Sequence, residues 1–258
     1  MPFYTLIIFY KMSVTNKLAI QQLSSFIKKG KVTVFTGAGM STASGLPDFR
    51  SAKDGMWGKI DPAAVASTNA LHYNYDLFKK FYKMRLNGLE GILPNNGHII
   101  LSNWEKKGLL TGLITQNVDG LHDAAGSQKI ATLHGRLRKI FCQDCKEPST
   151  IEDFMNDKDC PKCHGKLRPG VVLFGEMLPE DQLDLASKWT NECNTFIVLG
   201  SSLQVSPANS FPQLAKMNKA KLVIINRDPT DLDYMADLVF HDPIVQVLEE
   251  TDKAMENL

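Results

Sequence analysis

This sequence has almost no net charge: +1 over 258 residues, 22% of them charged. A chain so balanced lacks the basic field that gathers nucleic acid or an anionic membrane surface, so neither is expected as a partner. It has no run of eighteen apolar residues, so no transmembrane helix is expected. Internal repeats and low-complexity tracts are missing too. The opening MPFYTLIIFY is apolar, but no basic flank precedes it and no small-residue cleavage site follows. It therefore reads as extra translated sequence upstream of Met12 and not as a secretory leader. Cysteine is scarce, with five residues, and four of these form two CxxC pairs. Such pairs in a chain without a leader argue for metal in a reducing compartment, and the cytoplasm is expected. With 43% hydrophobic residues, the chain suits one large globular domain or one and a half.

The rest of the chain is organised around residues 31–50, KVTVFTGAGMSTASGLPDFR. Val32, Val34 and Phe35 make a buried strand that breaks into Gly37-Ala38-Gly39. A strand feeding a glycine turn is how α/β proteins grip a pyrophosphate, because glycine lets the backbone approach and free N–H groups point at the anion. Ser41, Thr42 and Ser44 add hydroxyls, and Gly45-Leu46-Pro47 stop any helix. As a bare dinucleotide fingerprint the pattern is incomplete, since the third glycine is replaced at Thr42.

Helical spacing predicts a helix over residues 16–29, others over 75–89, 98–107, 179–188 and 209–217, and a last one from Ile244 on. Strands are expected at residues 32–36, 110–115, 130–133, 171–174, 195–199, 222–225 and 237–240. This alternation implies a parallel sheet with helices on both faces, an α/β fold. Ligands in such sheets sit beyond the carboxyl ends of the strands. Polar or glycine residues stand at five such ends: Thr36-Gly37, Gln116-Asn117, His134, Gly200-Ser201-Ser202 and Asn226. Together they predict one cofactor cleft. Residues 52–100 hold no strand and read as an inserted helical module.

Cys142-x-x-Cys145 and Cys160-x-x-Cys163 are fourteen residues apart. A two-residue gap turns both thiolates of a pair toward one ion, and two pairs complete a tetrahedron, so zinc is expected. Four thiolates leave no open position, which makes this a structural metal. Pro161 and Gly165 suit a knuckle turn better than a redox pair. His164 is expected to be exposed, and Cys193 to be a half-buried small residue.

The order of the motifs carries a resemblance. GAGMSTASGLPDFR, then TQNVDGLH, then His134-Gly135, the paired CxxC, RPGVVLFGE, GSSLQVSP and Ile225-Asn226 together resemble the core of the sirtuins, the NAD-dependent protein deacylases. The likeness runs from about Lys31 to Val247. It implies a Rossmann-like NAD-binding domain over residues 13–51, 101–135 and 175–258. It also implies a smaller domain made of the helical module (52–100) and a four-cysteine zinc ribbon (136–174). By the family's chemistry, NAD is a co-substrate that accepts the acyl group of an acyl-lysine and releases nicotinamide. A base near neutral pKa is needed at the ribose hydroxyls, and imidazole meets that need; the resemblance gives this part to His134. Asn117 and Asp119 are implied to orient ribose, nicotinamide and a water, and Gln116 to bond the ribose. Phe49 is implied to shield the reacting face from water. Gly37, Ala38, Gly39 and Ser41 are implied to hold phosphates, with Asp48 and Arg50 beside them. Gly200, Ser201 and Ser202 are implied at phosphate and adenosine ribose, and Asn226, Arg227, Asp228 and Ile244 at the adenosine end. Ser201 departs from the family's frequent threonine, but both side chains are hydroxyl donors.

The substrate is expected as an extended peptide between residues 175–177 and 204–205, an added-strand mode of recognition. Val172, Phe174, Gly175 and Glu176 are implied to contact it, Val172 packing on the acyl-lysine stem. Tyr82-x-x-Arg85 falls on one helical face and resembles the pair with which one sirtuin branch reads succinyl or malonyl carboxylates. The neighbouring Ser51-Ala52 also looks like that branch. Deacetylation is thus implied, with desuccinylation and demalonylation as additions. Three rival readings compete: a Rossmann oxidoreductase, a zinc-ribbon binding module and a mono-ADP-ribosyltransferase. The first needs an acidic residue closing a second strand about twenty residues past the glycines, and residues 54–61 offer no such strand. The second lacks a basic aromatic patch. The third is the alternative inside the same fold, and His134 with Asn117 favours deacylation.

Overall fold

The computed structural model describes residues 16–48, 56 and 60–256. Helix α1 (Lys17–Lys28) starts where the Asn16 side chain accepts from the Ala19 N–H. Strand β1 (Val32–Thr36) follows, then a 3₁₀ segment, Ala38–Ser44. Three helices come next: α2 (Pro62–Val65), α3 (Thr68–Tyr73) and α4 (Tyr75–Asn87). The α/β alternation resumes with α5 (Asn96–Lys106), β2 (Leu110–Thr115), α6 (Leu121–Ala124) and β3 (Ile130–Thr132). Then come β4 (Gly135–Cys142), β5 (Pro148–Ser149), α7 (Ile151–Met155) and β6 (Leu167–Val171). The chain closes with α8 (Glu180–Glu192), β7 (Thr195–Leu199), α9 (Phe211–Met217), β8 (Lys221–Ile225), β9 (Leu238–Phe240) and α10 (Ile244–Glu256).

The large sheet has the order β3-β2-β1-β7-β8-β9, and every neighbouring pair is parallel. The order runs outward in opposite directions from β1 and β7, which makes their junction the topological switch point. Both strands are buried throughout, as a sheet covered on two faces requires. Alternation sorts the side chains. Val32, Val34, Ile197 and Val223 pack with Leu23, Ile27, Trp104 and Leu248 of α1, α5 and α10. Phe35, Phe196, Val198 and Ile224 pack on the other face with Trp189 and Phe211 of α8 and α9. Removing a large side chain from such a layer costs about 2–5 kcal/mol.

The second lobe has its own core. Leu71, Phe78, Phe81 and Tyr82 from the helices meet Leu137, Ile140, Phe154 and Leu167 from the segment that carries the cysteines. Its sheet is antiparallel, ordered β5-β4-β6.

The strand expected at residues 171–174 ends at Val171 and begins earlier, at Leu167. Pro169 does not prevent it, because the ladder shifts register between Arg136 and Ile140, where Pro169 lies opposite Ile140. Phe174 instead crosses over to bridge Ser67, donating to Ala66 O at 2.9 Å. Strand β4 was not anticipated, since Arg136, Arg138 and Lys139 mask the buried Leu137 and Ile140. No helix among the described residues is long and apolar enough to cross a membrane.

Candidate active site

A cleft of about 990 Å³ opens beyond the carboxyl ends of β1 and β7, at the upper end of the range usual for small-molecule sites. One wall is the switch point, with Gly37, Ala38 and Gly39 after β1 and Gly200, Ser201 and Ser202 after β7. The facing wall comes from the second lobe and includes Tyr82, Arg85, Val172 and Phe174.

Glycine is required where the two loops meet. The Gly39 N–H donates to Gly200 O at 2.9 Å. A Cβ on Gly39 would stand 2.7 Å from Gly200 Cα, and one on Gly200, whose φ is +62°, would stand 2.5 Å from Gly39 C. The Gly37 and Gly200 N–H groups are likewise committed, to Leu199 O and Ile225 O, so the result is a close-packed backbone cradle that suits a pyrophosphate by shape, with no side chain between ligand and main chain.

Beside the cradle, Asn117 Nδ2 donates to Gly37 O at 3.0 Å and to Ser41 Oγ at 3.2 Å. Ser41 Oγ in turn donates to Asp119 Oδ2 at 2.8 Å, and Asp119 Oδ1 accepts from the Leu121 N–H. Burial pushes the Asp119 carboxyl above its ordinary value, against the pull of those two bonds and of Arg85. Gln116 Nε2 donates to Ser201 Oγ at 2.9 Å, and the Leu203 N–H donates to the same hydroxyl.

His134 stands at the end of β3, with Nδ1 3.1 Å from Gln116 O. A carbonyl can only accept, so Nδ1 carries the proton and Nε2 of the neutral ring holds the lone pair. The Val172 N–H donates to His134 O at 2.9 Å, tying the facing wall to the histidine.

At the far end, Asn226 Nδ2 donates to Asp228 O at 2.7 Å. Arg227 lies 3.6 Å from both Asp48 and Asp228, and Ile244 lines the cleft. His241 Nδ1 donates to Asn226 O at 2.8 Å. Phe49, Arg50, Ser51 and Ala52 lie outside the described residues.

In the second lobe Tyr82 is buried, its ring 4.6 Å from that of Phe78. Burial pushes its hydroxyl pKa up, and burial also lowers that of the Arg85 guanidinium. Phe174 is 46% exposed at the cleft, and Gly175 turns the chain at φ +96°. The Glu176 carboxylate is engaged within the protein: it pairs with Arg168 (Nη2 to Oε2, 3.0 Å) and accepts from the Leu173 N–H at 2.8 Å. Burial raises its pKa, but the Arg168 and Leu173 bonds outweigh burial and hold it below the ordinary value. Residues 175–176 and 204–205 line the cleft without forming strands.

The four cysteine Sγ atoms all lie within 4.8 Å of one another. Cys142–Cys163 and Cys145–Cys160 are 3.5 and 3.6 Å apart, near the roughly 3.8 Å edge of a tetrahedron with Zn–S arms of about 2.3 Å. Donor set and spacing both fit zinc. His164 is exposed, as expected. Cys193 is more buried than expected, and its Sγ donates to Thr190 O.

Several residues of the site escaped the sequence reading. His241 follows β9 and was findable by the same strand-end rule that found His134. Arg168 was visible only as the start of an apolar run. Thr115, which bonds Thr36 at 2.8 Å beneath the loops, looks like an ordinary strand residue.

A model described as the Sir2 family matches residues 37–207. The NAD-dependent protein deacetylase of Halalkalibacterium halodurans is 48% identical over 227 residues, 88% of this chain and 95% of that protein. NAD-dependent protein deacetylase 1 of Geobacillus kaustophilus is 45% identical over 235 residues, 90% and 97% of the two chains. A Sir2 homologue solved as an NAD complex superimposes with a TM-score of 0.85 at 36% identity, covering 92% of this chain and 94% of that one. A Sir2 protein solved with deacetylated p53 peptide and 3′-O-acetyl-ADP-ribose gives 0.87 at 32% identity, covering 91% and 97%. The parallel sheet, its switch-point cradle, the four-cysteine cluster and these likenesses agree: this chain belongs to the Sir2 family.

Proposed function

We propose that the protein is an NAD-dependent lysine deacylase, yielding free lysine, nicotinamide and O-acyl-ADP-ribose. The observation that carries this reading is His134. Its Nδ1–H is committed to Gln116 O, so Nε2 is the basic atom, and it shares one cleft with the glycine cradle. NAD, when bound, supplies the ribosyl group that takes the acyl oxygen. The chain's own residues do the rest. Gly37, Ala38, Gly39 and Gly200 hold the pyrophosphate, and Ser201, Ser202 and Gln116 the riboses. Asn226, Arg227, Asp228 and Ile244 hold the adenosine end. Asn117 and Asp119, locked to each other through Ser41, fix the nicotinamide end. His134 Nε2 takes a proton from a ribose hydroxyl. Phe49 and Arg50 are assigned by sequence likeness. The residues present hold zinc through Cys142, Cys145, Cys160 and Cys163, and the metal keeps the ribbon folded. The separate cores of the lobes support the two-domain division, and the use of four cysteines as one metal cluster supports a reducing, cytoplasmic setting.

The peptide lies between residues 175–177 and 204–205, with Val172 and Phe174 against the acyl-lysine stem. Glu176 serves this site through its backbone, since its carboxylate is engaged by Arg168. Tyr82 and Arg85 line the same cleft, which favours acidic acyl groups as additional substrates. Incubation with NAD and an acetyl-lysine peptide, followed by mass spectrometry, is expected to give deacetylated peptide and nicotinamide in equal amounts. Peptide turnover without nicotinamide release would refute the reading.

A further inference from the structure

Four polar side-chain atoms are buried without a hydrogen-bond partner among the described residues: His98 Nε2, Ser102 Oγ, His122 Nδ1 and Ser127 Oγ. Each residue is at most 3% exposed. Native proteins seldom tolerate one such atom without cause, and here the four belong together. His98 and Ser102 are one turn apart on α5. The His122 ring on α6 lies 4.7 Å from the His98 ring, centroid to centroid. The Ser127 N–H donates to His122 O at 3.1 Å, and a Cβ on the adjacent Gly126 would stand 3.3 Å from Ser102 Oγ.

The neighbouring bonds fix both tautomers. The Asn95 N–H donates to His98 Nδ1 at 3.3 Å, so the neutral His98 ring carries its proton on Nε2. Thr36 Oγ1 donates to Thr115 Oγ1, so Thr36 can only accept from His122 Nε2, 3.0 Å away. His122 therefore also carries its proton on Nε2 and leaves Nδ1 bare. One unpaired ring donor thus stands beside one unpaired ring acceptor, with no direct bond between them, and two hydroxyls adjoin. We propose that α5 and α6 enclose an internal water site, in which one water accepts from His98 Nε2–H and donates to His122 Nδ1. The hydroxyls of Ser102 and Ser127 supply its remaining acceptor and donor contacts, so all four orphan atoms and all four valences of the water are satisfied. Burial holds both rings neutral, His98 down at about 4 and His122 well below its ordinary value.

The site has a consequence for the cleft. On one side, Asn95 Nδ2 donates to Met40 O at 2.9 Å and to Ser44 Oγ at 3.0 Å, holding the segment after the glycines. On the other, Thr115 Oγ1 accepts from the Asn117 N–H at 3.0 Å. The water joins the two halves, and His98 and His122 become positioning residues for both loops around the proposed NAD site. This last step rests on the NAD reading; the water site itself does not.

Ser102→Ala and Ser127→Ala test the site, because they remove only a hydroxyl. A hydroxyl bonded to water is lost at a cost, and each variant is expected to melt about 2–4 °C lower. A hydroxyl truly unpaired is a liability, so unchanged or raised melting in both variants overturns the proposal. Long-range proton–nitrogen spectra of the ¹⁵N-histidine protein are expected to show both rings neutral with the proton on Nε2; an Nδ1–H form of either ring overturns it as well. For the positioning role, His122→Gln is expected to raise KM for NAD roughly tenfold with KM for the peptide unchanged, and equal shifts in both constants refute that role. Failure of the wild-type protein to use NAD at all would strike the functional reading, while the melting and spectral results would still decide the water site.

Discussion

Glu176→Gln is the perturbation whose effect the structure defines most closely. Arg168 is 3% exposed and Glu176 29%. Removing one member of a buried ion pair costs about 3–5 kcal/mol because the other charge is stranded. Here the guanidinium keeps Pro169 O, Val171 O and Gln143 Oε1, and Gln retains one oxygen for Leu173. The expected loss is therefore smaller, about 2 kcal/mol, which in a chain of this size lowers Tm by about 4–8 °C. The effect reaches the site as well. Glu176 closes the turn through the Leu173 N–H, and Val172, one residue back, is bonded to His134. KM for the acyl peptide is expected to rise about fivefold or more, with KM for NAD within twofold. Thermal melting followed by circular dichroism, with initial-rate kinetics on the same preparations, reads both. A variant melting within 1 °C of wild type by that assay, with about the same peptide KM, would show that the ion pair does not hold this turn.

Three further outcomes are expected. Stripping the metal with a chelator should expose four titratable thiols and abolish peptide binding, since Gln143 inside the first cysteine knuckle bonds Arg168; an unchanged melting curve after complete removal would contradict a structural metal. His98 stays neutral down to about pH 4 when folded, whereas an unfolded imidazole protonates below about pH 6.5. The native state then binds fewer protons between these values, so stability falls as pH drops from about 6.5 toward 4, by up to about 1.4 kcal/mol per pH unit for each buried ring; flat urea midpoints across that window would refute it. Arg85→Met should raise KM for a succinyl-lysine peptide by about tenfold or more and leave that for an acetyl-lysine peptide within about twofold, and equal effects on both would remove Arg85 as a carboxylate reader.

What could be read from the chain, and what could not, follows from the range of the forces involved. The strands of the large sheet are short, mostly apolar runs rich in valine, isoleucine and threonine, and local pattern is enough to place them. The cleft was legible because strand ends in such a sheet share one edge, which brings Gly37, Gln116, His134, Gly200 and Asn226 together without any knowledge of distances. The cysteine pairs carry their own geometry in their spacing. Strand β4 was missed because its hydrophobic signal is interrupted by basic residues, and its partner β6 was misplaced because the register shift that admits Pro169 is a property of the pair. The Arg168–Glu176 clamp and the His98–His122 pair join residues whose side chains meet only after folding. Asn95 begins α5 with His98 as its reciprocal partner, a capping box without the usual Glu or Gln, so its start was placed late.

The most direct test of the central claim, that His134 is the base of an NAD-dependent deacylase, measures NAD affinity and acyl-peptide turnover in wild type and His134→Ala together. The imidazole supplies a proton acceptor and none of the phosphate cradle. The account predicts an NAD Kd within about threefold of wild type and a turnover rate lower by about 10²–10⁴-fold. Turnover that survives the substitution, with nicotinamide released in step with deacylated peptide, would contradict it.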